Sequence, residues 1–149
     1  MSPSIVAIIE DDEILAKVIG TELSDAGFKV LQAFDGEAGL ALVRKERPNL
    51  VLLDLVLPKK HGFEVLKELK KNPDTQDIPV IILTMLSEDD DIKKGLQLGA
   101  SDYLVKSSHA IGEIVEKVKD FFAKEQHPQT KKVGRVMKAK AIKEKKVDM

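Results

Sequence analysis

Residues 49–62 read NLVLLDLVLPKKHG. Leu50, Val51, Leu52 and Leu53 form an apolar run with no polar break, and Asp54 ends it. Apolar residues in succession, without alternation, suit a strand covered on both faces, as in a parallel sheet flanked by helices. A carboxylate closing such a strand is costly to bury unless something there uses its charge. The role of Asp54 therefore decides the reading of the whole chain.

Outward from this stretch, short apolar runs recur at Ser4–Ile9, Phe28–Ala33, Ile78–Leu83 and Asp102–Val105. Each run, including Leu50–Asp54, is followed by apolar residues at helical spacing. The first helical set is Ile14, Leu15, Val18, Ile19 and Leu23, with Gly27 as a stop. A second is centred on Leu40, and a third runs from Phe63 to Leu69 and is closed by Asn72-Pro73. Ser87 is the expected N-cap of the fourth, and Ile111 to Phe122 make the fifth. Strict alternation of five strands and five helices argues an α/β fold with a doubly wound parallel sheet. The second strand carries Lys29 and Gln32, which marks it as an edge. The resulting order is 2-1-3-4-5, a flavodoxin-like (βα)5 arrangement.

The 149 residues suit one domain, and 33 % of them are charged. There is no cysteine, so disulfides and thiolate metal sites are excluded. A net charge of −1 hides an asymmetry. Residues 124–149 hold nine Lys/Arg and three Asp/Glu, a net of +6, leaving 15 bases and 22 acids in residues 1–123. The expected division is a folded domain, 1–123, and a basic tail, 124–149. The apolar run Ile5–Ile9 is too short for a signal peptide or a membrane span, so a cytoplasmic chain is expected.

The other strands end in polar residues as well: the first in Glu10, Asp11 and Asp12, the fourth in Thr84, the fifth in Lys106. Carboxyl ends of parallel strands share one edge, and ligands bind there at the topological switch point between strands one and three. Two carboxylates about 4 Å apart repel by roughly 4 kcal/mol at an effective dielectric near 20. Glu10, Asp11 and Asp54 thus ask for a cation. Hard oxygens without His or Cys point to Mg²⁺, with Mn²⁺ as the alternative. With Lys106 and the Thr84 hydroxyl, the set suits a phosphoryl group, and a carboxylate beside a metal can become an aspartyl phosphate.

At these residues the sequence resembles the receiver domain of two-component response regulators, over residues 4 to about 123. The resemblance rests on EDD at Glu10–Asp12, LLDLVLPKKHG around Asp54, Thr84 after VIIL, and GASDYLVK with Tyr103 and Lys106. It implies Asp54 as phospho-acceptor, Asp11 as Mg²⁺ ligand, Glu10 acting through a metal-bound water, and Val56 lending its backbone carbonyl. It implies further that Lys106 and Thr84 bind phosphoryl oxygens and that Tyr103 is a rotameric switch. The implied function is a signalling module, not an enzyme, that takes a phosphoryl group from a sensor histidine kinase or a histidine phosphotransfer protein. Output is expected through the face of helix four, strand five and helix five, to a downstream protein or a second copy. Three positions depart from the common pattern: Ser107 follows Lys106 where proline is usual, Met85 stands where a small residue is common, and the acid pair begins with Glu10.

Asp12 reads as a helix start only, Glu88–Asp91 as a solvated first turn, and His61, His109 and His127 as surface residues. A haloacid-dehalogenase-like phosphatase would need a second acid two residues after its nucleophile, where Val56 stands. A pseudo-receiver would not keep the full acid, Asp, Thr and Lys set. The 26 residues of the tail are too few for a helix-turn-helix or winged-helix module, so no DNA-binding domain is expected.

Overall fold

The computed structural model describes residues 2–125. The element order is β1 (Ile5–Ile9), α1 (Glu13–Asp25), β2 (Lys29–Ala33), α2 (Gly36–Glu46), β3 (Leu50–Leu53), α3 (Gly62–Lys71), β4 (Val80–Thr84), α4 (Asp89–Gln97), β5 (Asp102–Val105), a 3₁₀ turn (Lys106–Ser108) and α5 (Ile111–Glu125). The sheet is parallel throughout, in the order β2-β1-β3-β4-β5. Residues 1–114 form one compact unit that holds the whole sheet and α1–α4. The rest of α5 belongs to a second unit beginning at Val115. The basic tail and His127 lie outside the described residues.

Period-two alternation sorts each strand between two layers. Ala7 and Ile9 of β1, Val51 and Leu53 of β3, and Val80 and Ile82 of β4 pack with Leu40 and Val43 of α2 and Phe63, Leu66 and Leu69 of α3. Ile8, Leu52 and Leu83 face the other way, toward Ile19 of α1. All four β3 residues are buried, as the unbroken apolar run requires. β2 is the edge, and its polar Gln32 donates from Nε2 to the Ala16 carbonyl of α1 at 3.0 Å.

The helix starts follow local chemistry. Asp12 caps α1 by accepting from the Leu15 amide, and Asp35 caps α2 by accepting from Ala38. His61, expected at the surface, is exposed and also caps α3: its Nδ1 accepts from the Phe63 amide at 3.1 Å. The cap foreseen at Ser87 is not used. α4 begins at Asp89 after Glu88, which makes no side-chain cap bond. Three aspartates in the first turn supply the favourable charge instead.

Strand register brings the site residues to one edge. Ile9 pairs with Ala33 on one side and Leu53 on the other, Leu53 with Ile82, and Thr84 with Val105. The residues that follow these pairs, Glu10, Asp54 and Lys106, therefore emerge together, with Thr84 at the same end of the sheet.

Candidate functional site

Asp54 is 5 % exposed and Glu10 3 %, both held where the strands end. Lys106 reaches them from the turn after β5. Its Nζ donates to Asp54 Oδ2 at 2.9 Å and stands 2.5 Å from Glu10 Oε1. The second contact is a buried ion pair, so both Glu10 Oε1 and Asp54 Oδ2 meet the same ammonium. The other Glu10 oxygen accepts from the Asp12 amide at 3.1 Å, and Asp54 Oδ1 from the Val56 amide at 3.3 Å.

Burial dominates the electrostatics. It pushes the Glu10 carboxyl up to about 7, against the opposing pull of Lys106 and the Asp12 amide. For Lys106 burial works against the charge, but Asp54 and Glu10 outweigh it and raise the ammonium above its ordinary value. One ammonium serves two acids, and a third, Asp11, is exposed beside them. Oxygens from Glu10, Asp11 and Asp54 all lie within 4.8 Å of one another.

This set fits a divalent cation. The donors are hard carboxylate oxygens, two of the acids are buried, and the third is open to solvent, which leaves room for retained water. A lysine alone does not neutralise three acids.

The remaining predicted residues are placed less directly. Thr84 is fully buried, and its Oγ1 accepts from the Leu86 amide at 3.4 Å, which keeps its own proton for donation. Tyr103 lies farther along the edge. Its hydroxyl donates to the Leu86 carbonyl at 2.7 Å and its ring packs at Gly95 of α4. Burial, then the charges of Asp91 and Asp54, push its phenol up to about 12. Val56 and Met85 flank the site, 53 % and 59 % exposed as residues, so Met85 adds apolar surface at the rim and does not fill the interior. No cis peptide occurs among the described residues, so the Lys106–Ser107 bond is trans.

Gly62 closes the LLDLVLPKKHG motif, and its contacts hold the loop after Asp54 in a way that residue types alone do not announce. Gly62 donates to the Leu55 carbonyl at 2.8 Å, and a methyl at Gly62 would stand 2.4 Å from the Asp54 carbonyl oxygen. Only glycine lets α3 start so close to the acceptor. Lys60 pairs with Glu68, which Arg44 also meets at 3.7 Å.

The chain belongs to a known family: residues 6–119 match the response regulator receiver domain. It is a receiver domain, as the resemblance implied. It is 44 % identical over 101 residues to the probable transcriptional regulator ycf27 of Porphyridium aerugineum, covering 68 % of this chain and 41 % of that one. It is 43 % identical over 101 residues to the DNA-binding dual master transcriptional regulator RpaA of Synechocystis, covering 68 % and 42 %. Among solved structures, the Mn²⁺-bound form of the response regulator Rcp1 matches with a TM-score of 0.73 and 33 % identity, over 80 % of this chain and 94 % of that one.

These relatives correct one expectation. The short tail suggests no DNA-binding domain, yet matched relatives are named as transcriptional and DNA-binding regulators. The chain spans about two fifths of the length of the curated relatives it matches. Counting residues after Ala123 therefore gives no ground for that exclusion. Among the described residues, no helix is long and apolar enough to cross a membrane.

Proposed function

We propose that Asp54 accepts a phosphoryl group from a phosphohistidine on a sensor kinase in the cytoplasm, with Mg²⁺ held by Glu10, Asp11, Asp54 and the Val56 carbonyl. The observation that carries this reading is Lys106 Nζ bridging the buried Glu10 and Asp54, with a third carboxylate, Asp11, exposed beside them. A divalent ion at those acids would supply charge neutralisation for the incoming phosphoryl oxygens. A carboxylate oxygen of Asp54 attacks phosphorus, and the phosphorus–nitrogen bond breaks with its electron pair going to the imidazole. Lys106, released from Asp54, pairs with a phosphoryl oxygen, and the Thr84 hydroxyl donates to another. Tyr103 follows Thr84 by exchanging its bond to the Leu86 carbonyl for a more buried position. Residues 1–123 would carry this chemistry, with 124–149 a separate basic segment. The module promotes only its own phosphorylation and dephosphorylation.

Incubating the chain with Mg²⁺ and acetyl phosphate, followed by intact-mass measurement, tests the reading. Wild type should gain one phosphoryl group and Asp54→Asn none. Asp11→Asn should weaken both Mg²⁺ binding and the adduct. Absence of an adduct on wild type, or its persistence in Asp54→Asn, would refute the assignment.

A further inference from the structure

The edge strand β2 brings no reacting group to the site, but the loop that follows it touches the segment carrying Val56. Between Asp54 and Gly62 the chain makes a tight reversal: the Lys60 amide donates to the Pro58 carbonyl at 2.7 Å, two residues back, across Lys59 at φ +68°. This is a γ-turn of the positive-φ kind, which is rare and strained for a residue with a side chain. A strained turn persists only where its surroundings over-determine it.

Gly36, buried at the start of α2, supplies that constraint. Its amide donates to the same Pro58 carbonyl at 3.1 Å. A methyl at Gly36 would stand 2.0 Å from the Lys60 carbonyl oxygen and 2.8 Å from its carbonyl carbon. Both are backbone atoms and cannot swing away. Asp35 adds a second tie, since it caps α2 through Oδ1 and meets Lys59 Nζ through Oδ2 at 3.7 Å.

We infer that Gly36 is a positioning residue for the metal centre: by locking the γ-turn at Pro58–Lys60 it fixes the loop that presents Val56 and the Asp54 carboxylate. This rests on the proposed Mg²⁺ site. Residues that orient metal ligands without touching the ion typically change affinity about 10–100-fold when altered.

The test compares wild type, Gly36→Ala and Gly20→Ala by Mg²⁺ titration calorimetry and by amide hydrogen exchange in chelator. Gly20→Ala is the structural control, because its methyl would meet the flexible end of Gln32 at 2.6 Å, on the far side of β2. Gly36→Ala should weaken Mg²⁺ at least about tenfold, with faster exchange confined to Lys60, Gly62 and their neighbours, while Gly20→Ala leaves affinity unchanged. Equal affinity in Gly36→Ala and wild type overturns the inference, as does an equal loss in both variants. Wild type that binds no Mg²⁺ overturns the site itself, a distinct result. Should Gly36→Ala not fold, wild type alone decides. The Gly36 and Lys60 amides share one acceptor and must gain protection together on Mg²⁺ addition. A gain at Lys60 without one at Gly36 refutes the clamp.

Discussion

Replacing Lys106 by Met removes the ammonium that pairs with both Glu10 and Asp54 and keeps most of the side-chain volume. At 2.9 Å and an effective dielectric near 20, the Lys106–Asp54 pair attracts by roughly 6 kcal/mol before desolvation is set against it. Stranding one partner of a buried pair costs about 3–5 kcal/mol in practice. Lys106 retains some solvent contact, at 16 % side-chain exposure, which places the loss near about 3 kcal/mol. For a domain of this size that lowers Tm by roughly 10 °C. The assay is a calorimetric melt near neutral pH in chelator, repeated with Mg²⁺. Lys106→Met should melt well below wild type in chelator and gain more than wild type from Mg²⁺, because the ion replaces a missing positive charge. Lys106→Arg keeps the charge and should lose less. A Lys106→Met melt within about 2 °C of wild type in chelator would show that the ammonium is not what makes the acid pair tolerable.

Tyr103 is the sole tyrosine, and the chain has no tryptophan, so tyrosinate absorbance reads this one ring. Its phenol sits at about 12 in the fold and near 10 when unfolded. Neutral Tyr103 therefore favours the fold fully below pH 10, and this contribution fades as pH rises through 12. A native inflection near 10 would contradict the burial and the bond to Leu86. Val56 and Leu86, two positions after Asp54 and Thr84, cannot hydrogen-bond a water with their side chains, and exposed Met85 adds apolar surface. Positioning of a base is worth roughly 10²–10⁴-fold where it operates, so wild type should hold its phosphate long. Val56→Asn or Leu86→Glu should hasten phosphate release after desalting by about tenfold or more. Loss within seconds in wild type would refute this.

Much of this architecture is legible in the sequence because β3 is wholly apolar, β4 is apolar up to Thr84, and Lys106 follows β5 directly. Covered strands must be apolar, and their carboxyl ends must share an edge, so Glu10, Asp54, Thr84 and Lys106 converge without coordinates. Other features depend on contacts that residue identity does not announce. Lys59 adopts a positive φ with no glycine to signal it. His61 caps α3 only because its ring turns back on the Phe63 amide. Ser87 resembles a cap, but the helix waits until Asp89, where three carboxylates meet the dipole. Gln32 reads as a solvated edge residue, while its amide is committed to the Ala16 carbonyl.

α4 buries one residue, Gly95, and leaves Leu96 exposed. Lys94 rests over the Phe63 ring at 4.8 Å, and Glu88 offers no cap bond. With so little apolar burial, the helix leans on Asp89, Asp90 and Asp91 at its amino end, each worth about 0.3–1 kcal/mol at low ionic strength. Salt screens such terms: the Debye length shrinks from about 10 Å at 0.1 M to about 3 Å at 1 M. The segment against which Tyr103 packs is thus ordered by charge more than by packing. Rising ionic strength loosens it while the apolar sheet beneath keeps its form, so the buffer itself sets how firmly the tyrosine is held.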